Sequence, residues 1–344
     1  MTVWKLACLL RGVICRQPVT LSGHLWTLVP NLRHRARPWA PPPHEAWSTT
    51  LMDPKIGAVT LRGSLHRAAG ETASREMVVL VHGLGGTIDS HYVVQAARAA
   101  SAAGIDSLRL ALRGADRAGE DFYHAGLTAD LEAALASPAL AAYEHLYMLG
   151  FSLGGHVTLC HALRPSDARL RAVASVCAPL DLAASCTAID QPRAAVYCRH
   201  VLDGLKEIYT AVARHREVPT PLASIRRLTT IRGWDRLAVV PRFGFVSVGD
   251  YHGSCSVGPR LRQAQVPALV LSATADPMIP AATIAPHVRE LPAIVTHRFI
   301  ARGGHVGFPS RLRLDLGADI KDAPPGLAPQ VIAWLRRHGT SGLP

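Results

Sequence analysis

No stretch of this 344-residue chain reaches the ~18 uninterrupted apolar residues that a membrane-spanning helix needs, although 49% of its residues are apolar. That apolar content is expected in a buried core. No C-x-x-C pair occurs among the seven cysteines (Cys8, Cys15, Cys160, Cys177, Cys186, Cys198 and Cys255), and their number is odd. This argues against a disulfide scaffold or zinc site and for reduced, mostly buried thiols in a cytoplasmic compartment. Aromatic residues make up only 6% of the chain and do not interleave with a basic stripe, so nucleic acid is not an expected partner. Lysine is scarce: all but four of the 37 basic residues are arginine. Acids are missing altogether from residues 1–44, which carry six Lys/Arg and hence +6. Residues 182–265 hold twelve basic and six acidic residues, a further +6, and the remainder of the +12 chain sums to zero. This unevenness suits a composition bias spread over solvated faces. It equally suits a basic arm and lid that lie against an anionic membrane surface or steer acidic substrates. Lys5 and Arg11 interrupt any signal-peptide core, so residues 1–16 read as a short amphipathic helix, although their acid-free composition would also suit a transit peptide.

One stretch that is present, Glu144 to Gly155 (EHLYMLGFSLGG), organises the rest. His145 to Leu149 is a short apolar run of the kind that forms a buried parallel strand. It breaks into Gly150-Phe151-Ser152-Leu153-Gly154, a G-x-S-x-G match, with Gly155 and an apolar helical stretch behind it. In so tight a strand–turn–helix the serine takes a strained backbone, only glycine fits at its flanks, and the helix N-terminus favours developing negative charge. By itself the motif is weak, since a chain of this length shows it by chance roughly one time in ten.

The context is what raises it. The apolar runs Met77 to Val81, Ser107 to Leu112, Ala172 to Cys177, Ala268 to Ala273 and Val295 to Ile300 alternate with helical stretches. They predict an α/β fold: a mainly parallel central sheet with right-handed crossovers and helices on both faces. Residues 46–67 read as two antiparallel strands, and Asp89 and Ser90 as caps of the next helix. Residues 182–265 lack strand-length runs and predict a helical lid over the carboxyl edge of the sheet. The expected organisation is thus a basic arm (1–44), a core (45–181), the lid (182–265) and the rest of the core (266–344).

Functional groups in such sheets gather at the carboxyl ends of strands, and His82-Gly83-Leu84, Ser152, Asp276 and His305 all fall there. Their chain order suggests that His305 takes the proton of Ser152 while Asp276 orients and stabilises the imidazolium. The main-chain N–H groups of Leu84 and Leu153 are the candidate oxyanion donors. Gly83, Gly150 and Gly154 support them, and His82 either braces the oxyanion loop by hydrogen bonding or is a plain turn residue. Asp181, after the preceding strand, is the rival acid; His124 and His156 are the other nearby histidines. Cys160 and Cys177 read as core cysteines.

Taken together, these residues make the chain resemble the α/β-hydrolase superfamily, and within it the YheT-like branch of bacterial esterases (AB hydrolase family 4 type). The resemblance runs from about Gly23 to Trp334. It rests on Gly23-His24-Leu25 with Pro30, His82-Gly83-Leu84-x-Gly86, Arg113-Gly114, and Tyr123-His124-x-Gly126-x-Thr128-x-Asp130. Gly150 to Gly155, Asp276-Pro277 with Pro280, and Gly303-Gly304-His305-x-Gly307-Phe308 complete it. Ala111 and His156 stand where relatives usually have asparagine, and the early strand Ala58 to Leu65 is plainer than theirs. The resemblance implies an α/β-hydrolase fold and a serine hydrolase of carboxylic esters with short- to medium-chain acyl or monoacylglycerol-like substrates. It implies no metal or organic cofactor. An acyltransferase on the same residues, or a scaffold that kept the fold, are the alternative readings.

Overall fold

Runs of Val, Leu and Met form strands buried on both sides only if each face is covered, and β3 (Glu76–Val81) illustrates how this is achieved. Met77, Val79 and Val81 pack into one apolar cluster, while Val78 and Leu80 pack into another on the opposite face. The computed structural model describes residues 21–69, 74–317 and 320–340; the helix expected over residues 1–16 lies outside them.

The other strands are β1 (Glu45–Asp53), β2 (Gly57–His66), β4 (Asp106–Ala111), β5 (His145–Phe151), β6 (Leu170–Val176), β7 (Ala268–Ala273) and β8 (Val295–Ile300). They form one eight-stranded sheet in the order β1-β2-β4-β3-β5-β6-β7-β8. Every pairing from β4 to β8 is parallel, whereas β1–β2 and β2–β4 are antiparallel. The helices are α1 (Leu21–Ala36), α2 (His91–Ala102), α3 (Ala129–Leu135), α4 (Leu153–Ala162), α5 (Leu182–Ile189), α6 (Ala195–His215), α7 (Val248–Cys255) and α8 (Leu327–Thr340). Helices α2 and α8 cover one face, and α3 and α4 cover the other together with the segment between β6 and β7. That segment holds α5, α6, α7 and shorter helical turns, and no strand among the described residues.

One local expectation needs correction. Ser90 does occupy the N-cap of α2 but makes no capping bond with its side chain. Its Oγ accepts from the Thr87 amide instead, and Asp89 is drawn to Arg109 at 2.7 Å. The stretch expected as a basic arm has a packed section. Helix α1 meets the loops after β7 and β8 backbone to backbone: a Cβ on Gly23 would overlap the Ala275 carbonyl, and one on Gly304 the Gly23 carbonyl. Pro30 lacks the N–H that would bond the carbonyl of Trp26 four residues earlier. That freed carbonyl is the one Gly307 lies against, where any side chain would overlap it.

Candidate active site

The turn from β5 into α4 places Ser152 at φ 52° and ψ −123°, a left-handed region that L-residues avoid and that costs about 1–3 kcal/mol. The flanking glycines are required for room, because neither has positive φ. A Cβ on Gly150 would overlap the Gly154 carbonyl, and one on Gly154 would overlap that of His82. The Ser152 amide donates to the Val176 carbonyl at 2.8 Å, which ties the turn to β6.

Ser152 Oγ lies 2.9 Å from His305 Nε2, and His305 Nδ1 lies 2.8 Å from Asp276 Oδ2. Asp276 Oδ1 accepts from the Met278 and Ile279 amides at 2.8 and 2.9 Å, so the carboxylate is fixed in place. Because the carboxylate can only accept, the imidazole proton sits on Nδ1 and Nε2 is free to accept from the serine hydroxyl. Asp276 and His305 are both buried. This chain of hydrogen bonds has the geometry to move a proton from Ser152 to His305 and to stabilise the resulting imidazolium.

Asp181 is not part of this chain. Its side chain caps α5 by accepting from the Ala184 amide at 2.9 Å, and its nearest histidine is His287 at 3.7 Å. His156 is buried between the carbonyls of Pro179 and Cys255, and His124 is packed among Phe243, Phe245 and Tyr251. Burial lowers the pKa of His124 to about 3.

His82 braces the loop that faces the serine. Its Nδ1 donates to the Gly83 carbonyl at 2.8 Å and its Nε2 accepts from the Leu112 amide at 3.2 Å. Complete burial holds it neutral, with a pKa lowered to about 4. The loop abuts the serine: a Cβ on Gly83 would lie 3.1 Å from Ser152 Cβ. Tyr92 Oη accepts from the Gly83 amide at 3.2 Å and Tyr123 Oη from the Gly85 amide at 2.8 Å. The amide between them, Leu84, has no hydrogen-bond partner among the described residues, and neither has Leu153 at the start of α4. Both leucines line the same cavity as Ser152.

That cavity has a volume of about 700 Å³. Ser152 and His305 are among its lining residues, and α5, α6 and the turns after them contribute Leu182, Ile189, Val201, Ile231 and Val239. The approach of α6 is close. Gly85 has φ +69°, and a Cβ on it would sit 2.8 Å from the Val201 carbonyl. Helix α1 also enters the site: Thr27 Oγ1 accepts from the His305 amide at 2.8 Å, and His24 meets Tyr197 Oη of α6 at 2.6 Å.

The sequence reading gave no role to Thr27, Tyr92 or Tyr197, nor to a buried charge cluster at the end of β4. Arg113 there contacts Asp130 at 2.7 Å, Asp53 at 2.8 Å and Asp121 at 3.2 Å, and Arg242 bridges Asp53 and Asp121. The only available signal was the Arg113-Gly114 and Asp130 pattern.

Two groups among the described residues bring potential metal-ligand atoms within 4.8 Å: Cys177, Asp276 and His305, and Cys186, Asp235 and His252. In each, the histidine already bonds the carboxylate, and burial pushes the thiol upward, away from the thiolate a metal would require. The five described cysteines are free thiols; burial pushes Cys160 up to about 12, so it reads as a core residue.

Fold and site together define an α/β enzyme-like architecture with a serine at the strand–helix turn. The family model of the alpha/beta hydrolases matches residues 78–313, and the chain belongs to that family. It is 30% identical over 186 residues to slr0264, a provisionally named esterase of Synechocystis sp., covering 46% of this chain and 48% of that one. It is 25% identical over 255 residues to phospholipase ABHD3 of Mus musculus, covering 69% and 59%. This chain spans about half to three fifths of the length of these relatives. Among solved structures, the alpha/beta hydrolase GrgF from Penicillium sp. shares the fold at a TM-score of 0.50 and 17% identity, covering 86% of this chain and 100% of that one.

Proposed function

We propose that this protein is a serine hydrolase of carboxylic esters that works through an acyl-enzyme on Ser152, with Asp276 and His305 as acid and base. The observation that carries this reading is the continuous Ser152–His305–Asp276 hydrogen-bond chain opening into a largely apolar cavity. In the proposed cycle His305 takes the hydroxyl proton as Ser152 attacks the ester carbonyl. The Leu84 and Leu153 amides hold the oxyanion, His305 returns the proton to the leaving alcohol, and water then repeats the sequence to release the acid. The apolar lining suits a short- to medium-chain acyl group or a monoacylglycerol-like ester. We place the chain in the YheT-like esterase branch on the motifs quoted above, with residues 182–265 as the lid.

The test is a p-nitrophenyl ester series of increasing acyl length with wild type and Ser152→Ala. The reading expects a chain-length optimum in the wild type and turnover reduced at least about a thousandfold in the variant. Asp181→Asn should retain most activity. Turnover that survives Ser152→Ala would overturn the reading, and diversion of product to added alcohols in preference to water would assign an acyltransferase instead.

A further inference from the structure

An ordinary surface helix buries its apolar stripe and shows water its polar face. Helix α1 follows this only in part: Leu28 is half-buried and packs against the core. Its small and polar residues Gly23, His24 and Thr27 face the loops after β7 and β8 and the lining of the cavity. The other three of its four leucines, Leu21, Leu25 and Leu32, at i, i+4 and i+11 on one helical face, are 53%, 44% and 42% exposed. Val196, at the start of α6 beside the His24–Tyr197 contact, is 41% exposed. Such a cluster on a soluble surface calls for a partner.

The charge around it is predominantly positive, although Asp203 and Glu207 lie near His200 and Asp89 lies beside α1. Arg33, Arg35 and Arg37 lie on and just after α1, Arg193 and Arg199 flank Val196, and residues 21–44 and 191–202 contain no acid. All five arginines are exposed. Arg35 reaches His200 at 3.4 Å, which joins the two stretches into one surface. That surface is continuous with the cavity, because Leu28, Leu32, Arg35, Val196 and His200 are among its lining residues.

We propose that this face docks the protein onto an anionic lipid surface, with Leu21, Leu25, Leu32 and Val196 entering the acyl–headgroup boundary and the arginines contacting anionic headgroups. Exposed leucines supply the apolar term and the excess of arginine the electrostatic one, a combination that fits a bilayer. The cavity mouth then opens toward the membrane, so an ester substrate can pass from lipid to Ser152 without crossing bulk water; this last step rests on the esterase reading.

The experiment is co-sedimentation of the full chain with vesicles of phosphatidylcholine alone and of phosphatidylcholine mixed with phosphatidylglycerol, at low and high salt. Binding is expected to the mixed vesicles only, and to weaken as salt rises. Leu21→Gln with Leu25→Gln should lower the partition coefficient about tenfold, and Arg33→Glu with Arg37→Glu about tenfold or more at low salt. None of these four residues lines the cavity, so hydrolysis of a soluble short-chain ester should be unchanged in both variants. Vesicle binding by a protein that hydrolyses nothing would sink the esterase reading and leave the docking face standing. Absence of vesicle binding, binding that both variants leave intact, or a stable dimer that the leucine variant dissociates would overturn the proposal.

Discussion

Ser152, His305 and Asp276 were legible because each sits where a strand ends, in a fixed chain order, with glycines marking the tight turns. The residues that hold them in place were not. Thr27 accepts from the amide of a residue 278 positions away, and no local pattern records that contact. Its hydroxyl also donates to the Gly23 carbonyl at 2.8 Å, so it links α1 to the histidine loop while anchored in α1 itself. Thr27→Val keeps the shape and removes both bonds. It should lower kcat about tenfold with KM little changed, while Thr27→Ser restores most of the rate. A Thr27→Val enzyme that loses melting temperature but keeps full kcat at permissive temperature would reduce Thr27 to a purely structural residue.

Among elements, the strands were read from apolar runs within a residue or two, since a strand covered on both faces has no other composition available to it. The segment between β6 and β7 was recognised only by lacking such runs, and its placement could not be read that way. Two contacts supply it: α6 packs on the loop after β3 through Gly85 and Gly204, and Arg242 joins the cluster around Arg113. Arg113 carries that cluster, which ties β1, β4, α3 and the insertion together. Burial works against its charge, but Asp130, Asp53 and Asp121 more than offset this and raise its pKa. Removing it leaves buried carboxylates without their partner, so Arg113→Met should cost about 3–5 kcal/mol in urea unfolding. Arg113→Lys should recover little of this, since an ammonium cannot reproduce the planar fork that meets three carboxylates. A loss under about 1 kcal/mol in Arg113→Met would contradict this account.

At the scale of the molecule, composition predicted a core and reduced cysteines, and the positive charge of residues 1–44 was plain to read. The outward direction of Leu21, Leu25 and Leu32 on α1 was not, because the usual periodicity argument assigns an apolar stripe to the core. Buried histidines give a second molecule-wide consequence. Burial lowers the pKa of His82 and His91 to about 4 and of His124 to about 3, from an ordinary 6.5. Between those values the unfolded chain binds protons that the folded one excludes, so stability must fall as pH drops from about 6.5 toward 4. Each histidine contributes up to about 1.4 kcal/mol per pH unit across that window. Urea midpoints measured between pH 8 and pH 4.5 should be flat above about 7 and fall steeply below about 6. A flat profile throughout would mean that these imidazoles are not buried neutral.

The central claim is that Ser152 is the nucleophile, made reactive by His305 and Asp276. It is tested most directly by labelling the folded wild type with a fluorophosphonate and mapping the modified peptide. The account predicts one adduct, on Ser152, absent from Ser152→Ala and formed much more slowly in His305→Ala. A folded wild type that takes no label, or takes it on another residue, would contradict it.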